Sequence, residues 1–390
     1  YGTVGSGVAE VLSYNQELIA KRAGNPIEVK YILDLRDFPG DPNETKVVHD
    51  IEVILQDPEI SIVCETMGGN EPAYTFSKRA LEDGKSVCTS NKELVANHGA
   101  ELLRLARENG CNYFFEASVG GGIPIIRPIN DCLTAERIVE VSGILNGTTN
   151  YILTKMEQEG MLFEEALGQA QALGYAERNP EADVEGWDAC RKIAILTSLA
   201  SGNQVDFKDI YTEGITKVTA EDFAYAKKAG CAIKLLAVSK KQGDTYCVMV
   251  APAFVRKENP LYMVNDVFNA VCVEGNMLGA SMFYGSGAGK LPTASAVAGD
   301  MVDAARHLGK IITTFWNPQK LELAPVGEMT HRFFVRMKSD AKDAKVFGDV
   351  EMIDAKIKGE IGFMTPVMSE DAFARKAKNL DIISMIRVAG

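Results

Sequence analysis

The chain has 390 residues, more than one ordinary hydrophobic core serves, so two or three domains are expected. Its 46% hydrophobic and 24% charged content is that of a globular protein, and a net charge of −12 without a Lys/Arg run argues against nucleic acid as a partner. No uninterrupted apolar stretch approaches the roughly 20 residues of a membrane helix. The eight cysteines are scattered without a C-x-x-C pair, which suits reduced thiols in a cytoplasmic enzyme, and the histidines form no transition-metal motif.

The chain opens Y-G-T-V-G-S-G-V-A-E-V-L, with Val8, Val11 and Leu12 at helical spacing. A dinucleotide fingerprint runs strand, G-x-G-x-x-G, helix. Gly2 and Gly5 fit its second and third glycines, and the first glycine with its strand is expected before residue 1. Residues 27–34 predict a strand ending in Asp34, roughly 30 residues beyond the glycines, so a longer first helix or loop is expected than the usual spacing of about 20 implies. Strands over 60–64, 85–89 and 112–116 then alternate with helices over 73–82 and 93–108, the pattern of a doubly wound parallel sheet of Rossmann type. Ligands of such sheets bind beyond the carboxyl ends of strands, where Thr66, Ser90, Lys92 and Glu116 fall. Asp34 suits the ribose hydroxyls of NAD and Arg36 the 2′-phosphate of NADP, so both cofactors stand.

After Glu116 comes A-S-V-G-G-G-I-P-I-I. A strand-end carboxylate beside freely turning glycine carbonyls is an oxygen-only setting for a hard, monovalent cation. On the residues alone, a plain interdomain hinge explains the glycines better. Further on, 139–145 reads as a strand and N146-G-T-T-N150 leads into a helix near Tyr151. Residues 233–240 and 245–250 form a hairpin around Gln242-Gly-Asp244, and 271–274 and 282–284 add strand, giving a mixed α+β domain.

The stretch from Gly174 to Leu196 is rich in acids and passes into a helix that carries Asp188 and Lys192 four residues apart, on one side. Such a loop suits a substrate ammonium group, and the lysine suits a proton donor. An exposed ion pair worth about 0.3–0.5 kcal/mol is the simpler account of that spacing alone. G285-S-G-A-G-K opens a helix running through 300–308, with Thr293 and Ser295 near its start; phosphate binding and a flexible crossover fit it equally. The tail predicts strands over 331–337, 360–364 and 382–388 and a helix over 370–379.

Taken in order, the blocks G-T-V-G-S-G, T-S-N-K-E-L-V-A, F-E-A-S-V-G-G-G-I-P-I-I, S-G-I-L-N-G-T-T-N-Y-I-L, G-Y-A-E, D-V-E-G-W-D-A-C-R-K-I-A-I-L and Y-G-S-G-A-G-K-L-P-T-A-S-A-V resemble those of the homoserine dehydrogenases over nearly the whole chain. The resemblance implies NAD(P)-dependent interconversion of L-homoserine and L-aspartate 4-semialdehyde, on the route to threonine, isoleucine and methionine. It implies a Rossmann domain over 1–136 with 288–316, a substrate-binding and dimerisation domain over 137–287, and a short ACT-like module over 326–390, in a homodimer or homotetramer. Lys192 resembles the family's catalytic lysine, with Lys92 as a second lysine and Asp188 beside them. Glu177, Asp183, Asp188, Lys92 and Thr148 fall in its substrate motifs. Gly2, Thr3, Val4, Gly5, Asp34, Arg36, Thr66, Ser90, Lys92, Gly174 and Gly287 fall in its nucleotide motifs. Glu116 with the carbonyls of Val119, Gly121 and Ile123 matches its sodium site, which reverses the hinge reading.

Two departures qualify the resemblance. R-N-P-E-A after Glu177 is a variable part of the substrate motif. Met337 leads into K-S-D-A-K-D-A-K without the Pro and Gly expected of an ACT turn, so weak or absent inhibition by L-threonine is expected. A related dehydrogenase of another small amino-acid aldehyde, and more distantly an amino-acid sensor without turnover, are the alternatives.

Overall fold

Helix α1 (Thr3–Tyr14) starts at Gly2 without a side-chain cap and buries Val8, Ala9 and Leu12 on one face, as their spacing predicts. The structure, a computed structural model, describes residues 1–312, 314–338 and 343–389. After α2 (Gln16–Ala23), strand β1 (Ile32–Leu33) pairs in parallel with β2 (Val47–Val48). The strand expected over 27–34 is therefore regular only at its end, where β2 supplies a partner. Helix α3 (Ile51–Leu55) leads to β3 (Ile62–Glu65), which forms a parallel sheet with β4 (Ser86–Thr89) and β5 (Tyr113–Phe114). Helices α4 (Ala73–Glu82) and α5 (Lys92–Glu108) connect them, the latter capped by Asn91, whose side chain accepts from the Leu94 N–H.

The second half begins with β6 (Ile138–Ile144), α6 (Gly147–Glu159), α7 (Phe163–Ala172), the short α8 (Glu181–Val184) and α9 (Trp187–Ser201). Then come β7 (Asn203–Gln204), β8 (Tyr211–Thr212), α10 (Ala220–Lys228) and the hairpin β9 (Cys231–Gln242) and β10 (Thr245–Arg256), in antiparallel register from Cys231↔Arg256 to Gln242↔Thr245. Strands β11 (Phe268–Gly275) and β12 (Gly279–Ser286) follow, then helix α11 (Lys290–Arg306) and β13 (Asn317–Lys320). Helix α11 begins at Lys290, close before Thr293 and Ser295, with Pro292 in its first turn, where no N–H is missed.

The chain divides into two units: Tyr1–Ala135 with Ala194–Asp206 and Gly285–Leu321, and Glu136–Ile193 with Phe207–Tyr284 and the described residues from Glu322 onward. In the first, Val8, Leu12, Cys88, Phe114, Ala294 and Val297 share one core. Helix α1 lies against α11 at Gly7, where a Cβ would stand 3.0 Å from Ala294 and Lys290. In the second, a mixed sheet runs in the order β12-β11-β6-β9-β10 and continues into the tail.

That continuation differs from the separate tail module expected over 326–390. Strand β14 (Thr330–Met337), β15 (Glu351–Ile353), β16 (Ile361–Met364), β17 (Met368–Ser369), helix α12 (Glu370–Ala377) and β18 (Ile382–Ala389) have their own core around Phe333, Phe347, Phe363 and Phe373. Yet β18 pairs in parallel with β10, Ala253↔Arg387 to Val255↔Ala389, so the tail strands extend the second unit's sheet. Part of the 338–345 turn, at 339–342, lies outside the described residues. Among the described residues no helix is long and apolar enough to cross a membrane.

Candidate active site

Each unit carries part of the predicted chemistry. In the first, α1 presents its uncapped N-terminal N–H groups at Gly2, Thr3, Val4 and Gly5, a ready site for a phosphate. Gly5 keeps this approach clear: a Cβ there would stand 2.9 Å from the Thr66 hydroxyl oxygen, which would have to turn aside. Gly2, Gly5, Asp34, Arg36 and Thr66 all line one cavity of about 700 Å³, open to the ends of β1 and β3. At its far side Arg36 grips Asp34 through Nε–Oδ1 at 3.0 Å and Nη2–Oδ2 at 2.9 Å, and this guanidinium holds the Asp34 carboxyl well below its usual range. Arg36 remains 63% exposed along its side chain, open to a further anion.

The floor of this cavity includes Glu65, a residue that local pattern did not single out. Its carboxylate is buried and accepts from Met67 N–H at 2.6 Å and the Thr89 hydroxyl at 2.5 Å. Thr89 in turn accepts from Asn91 N–H, and the Asn91 amide donates to the Gly69 carbonyl at 2.6 Å. One carboxylate thus ties the 66–69 turn, which bears Thr66, to Asn91, with Ser90 just before it and Lys92 opening α5. Burial pushes the Glu65 pKa up, against the hydrogen bonds it accepts.

The 116–127 loop uses its carboxylate differently from the sequence expectation. Glu116 accepts Ile125 and Ile126 N–H on Oε1, at 2.6 and 2.9 Å, and Arg127 N–H and Nε on Oε2, at 2.8 and 3.1 Å. Arg127 also reaches Asp303 at 2.8 Å. These four donors occupy the carboxylate that the sequence pattern offers to a cation. Among the described residues, no hydrogen bond ends on the carbonyls of Val119, Gly121 or Ile123. Gly121, at φ +56°, lies so close to Gly287 that a Cβ would be 2.4 Å from its carbonyl oxygen. No cluster of three His, Cys, Asp or Glu suited to a metal occurs among the described residues.

In the second unit the acids and the lysine converge. Asp188 and Lys192, in the first turns of α9, are 4% and 9% exposed, so theirs is a buried pair and not the surface pair that spacing alone favours. Lys192 Nζ donates to Asp188 Oδ2 at 2.7 Å and to the Leu145 carbonyl, at the end of β6, at 2.7 Å. Asn146, the N-cap of α6, donates its amide to Asp183 Oδ1 at 2.7 Å and to Asp188 Oδ2 at 2.8 Å. Asn146 is therefore the hub, and the Asn before G-T-T was the signal available for it. Thr148 is buried and donates to the Tyr175 carbonyl at 2.6 Å, anchoring the loop that follows the positive-φ Gly174. Glu177 on that loop is exposed, and its carbonyl accepts from the Gln171 amide at 3.1 Å. Gly174 belongs to this unit and is not among the residues that line the cavity of about 700 Å³ in the first.

Comparison with known proteins agrees along the chain. Residues 1–116 match the family model for the homoserine dehydrogenase NAD-binding domain, and 124–302 that for homoserine dehydrogenase. The homoserine dehydrogenase of Helicobacter pylori is 41% identical over 382 residues, covering 97% of this chain and 89% of the relative. A homoserine dehydrogenase of Thiobacillus denitrificans matches all of this chain and 96% of its own, with a TM-score of 0.90 at 34% identity. A hyperthermophilic archaeal homoserine dehydrogenase solved with NADPH matches 78% of this chain and 95% of its own, with a TM-score of 0.66 at 29% identity. An NAD(P)-type parallel sheet with a helix N-terminus open to phosphate, and a buried acid–lysine cluster beside a large mixed sheet, accord with these matches: the chain belongs to the homoserine dehydrogenase family of oxidoreductases.

Proposed function

We propose that the chain interconverts L-homoserine and L-aspartate 4-semialdehyde, with Lys192 as the proton donor to the aldehyde oxygen. One observation carries the assignment. An ammonium has three N–H donors, and Lys192 commits two of them, to Asp188 and to the Leu145 carbonyl. Among the described residues the third is uncommitted, on a group whose direction is already set. When bound, the nicotinamide supplies or accepts the hydride. As the carbonyl oxygen gains charge, the third N–H stabilises it and passes it a proton; in the reverse direction the lysine takes the proton back. Asp188 orients the ammonium. Asp183, held by Asn146, and Glu177 on the exposed loop supply negative charge for the substrate ammonium group. Lys92 is assigned to the substrate carboxylate.

In the first unit the α1 N-terminus receives the pyrophosphate, and Asp34 and Arg36 face the ribose that distinguishes NAD from NADP. A sodium ion fits the free carbonyls of Val119, Gly121 and Ile123, a set without the Glu116 carboxylate. Assembly as a homodimer or homotetramer fits the edge strand β12, on which Met282 and Tyr284 are exposed and Phe268 stacks on Tyr284 with ring centroids 5.3 Å apart. The test is absorbance at the nicotinamide band with L-homoserine and either nucleotide. Turnover with at least one is expected; nucleotide binding without turnover of homoserine overturns the assignment.

A further inference from the structure

Arg387 stands on β18, 4% exposed, far along the chain from the residues assigned above. Its guanidinium is engaged on every side. Nε and Nη2 meet the two oxygens of Glu370 at 2.6 and 3.1 Å, Nη1 meets Glu213 at 2.8 Å, and the Tyr211 ring lies 5.1 Å away. Glu213 follows β8, and its N–H donates to the Val250 carbonyl on β10 at 2.8 Å.

From Glu213 the contacts pass directly to the turn between Asp183 and Asp188. Gly214 lies so close to it that a Cβ would stand 2.2 Å from the Val184 carbonyl oxygen and 2.5 Å from the Glu185 Cα. Ile215 N–H donates to that same carbonyl at 2.8 Å, and the Thr216 hydroxyl meets Glu185 at 3.1 Å. From the other side Gly186, at φ +83°, leaves room for a Cβ only 3.1 Å from the Thr212 methyl and 3.4 Å from the Glu213 carbonyl oxygen. The Gly186 carbonyl then accepts Cys190 N–H and carries the turn into α9. Two glycines with no clearance, flanked by main-chain bonds, leave little slack, and a packed interior passes a displacement on.

We propose that Arg387 is a positioning residue for the substrate acids: through Glu213 it clamps segment 211–216 onto the 184–186 turn and so sets where Asp183 and Asp188 stand. The C-terminal strand thereby becomes a working part of the homoserine site. Without the guanidinium, Glu213 and Glu370 lose their shared counter-charge in a space only partly open to solvent, and the segment moves to separate them or reach water. The inference rests on the role given to the two acids under the proposed function. No residue of this path lines the nucleotide cavity, so the effect is confined to homoserine.

The experiment measures homoserine KM, kcat and the Kd for NADPH, by quenching of its fluorescence, in the full-length Arg387→Leu, Arg387→Lys, Glu213→Gln and Lys192→Met variants. Arg387→Leu is expected to raise homoserine KM about tenfold while the NADPH Kd stays within twofold of wild type. Arg387→Lys, which keeps the charge but loses the forked grip, is expected to recover most of that loss. If Arg387→Leu does not fold, Glu213→Gln decides, because it spares the Arg387–Glu370 pair; a homoserine KM raised roughly three- to tenfold is expected. A homoserine KM within twofold of wild type in the folded variants overturns the clamp, as does an equal loss of NADPH affinity. Lys192→Met separates the two readings: if it keeps kcat, the site assignment is wrong, whereas if it loses kcat while the Arg387 and Glu213 variants are silent, only the clamp is wrong.

Discussion

In the cavity of the first unit the groups on offer are uncapped main-chain N–H groups at the start of α1, and the telling side chain is an absent one, at Gly5. In the acid–lysine cluster nearly every contact is a side chain: Asn146 bridges two carboxylates, one of which also holds Lys192. The first site lies in a cavity of about 700 Å³; the second is packed, with its ion pair nearly out of solvent. A site made of backbone depends on shape and is damaged by adding atoms. A site made of coupled side chains depends on chemistry and is damaged by removing them.

The largest expected effect tests the second half of that contrast. Lys192→Met keeps most of the side-chain bulk but loses the donor, and kcat is expected to fall about 10²–10⁴-fold while NADPH affinity is unchanged. Stopped-flow turnover beside a fluorescence titration reads both. A variant that retains half of wild-type kcat would show that the cluster only holds the fold.

The cleft is expected to answer to added bulk. Gly5→Ala puts a methyl 2.9 Å from the Thr66 hydroxyl oxygen. Overpacking of this kind costs about 1–3 kcal/mol, so the NADPH Kd is expected to rise roughly tenfold or more, with the change confined to the nucleotide in isothermal titration. If homoserine KM rises while nucleotide affinity holds, the cleft is wrongly placed.

A smaller effect sharpens the comparison within the cleft, at the Asp34–Arg36 pair. Arg36→Ala is expected to weaken NADPH about tenfold and to leave NADH unchanged or improved, because Asp34 is released to meet the ribose hydroxyls. Equal losses for both nucleotides would mean that Arg36 does not face the 2′ position.

The smallest effect lies outside both sites. Burial, with the positive charges of Arg387 and Lys240, lowers the His331 pKa from its ordinary value to about 4. The folded state therefore binds fewer protons than the unfolded chain between about pH 6.5 and 4. The stability conferred by neutral His331 is full above pH 6.5 and is lost as pH falls toward 4. Over that window His331→Gln is expected to lose about 2–4 °C less in Tm than wild type; parallel melting curves would rule this out.

Local pattern made much of this molecule legible. Helix α4 falls where its apolar spacing places it, at Ala73–Glu82, and the turn at Gln242–Asp244 joins the hairpin β9–β10. Gly2 and Gly5 mark a helix start whose donors have no cap. The residue types of the acid–lysine loop were also legible, because Asp188 and Lys192 lie on one helix and their relation is set by its pitch. These are relations within a few residues, where backbone geometry alone decides who faces whom.

Tertiary structure decided the rest. Burial turned Asp188–Lys192 from a solvated pair into a fixed one, and Asn146 reached acids 37 and 42 positions away. Glu116 gained four donors, Arg127 Nε and three main-chain N–H groups, that no local pattern announced. Glu65 acquired its partner Thr89 only when β3 and β4 came into register, and the tail joined the main sheet only because β10 offered an edge to β18. Periodicity states which face of an element is apolar, but not which distant element covers it. The partner of a buried charge, the strand that meets an open edge and the exclusion of water from an ion pair depend on packing between segments far apart in the chain.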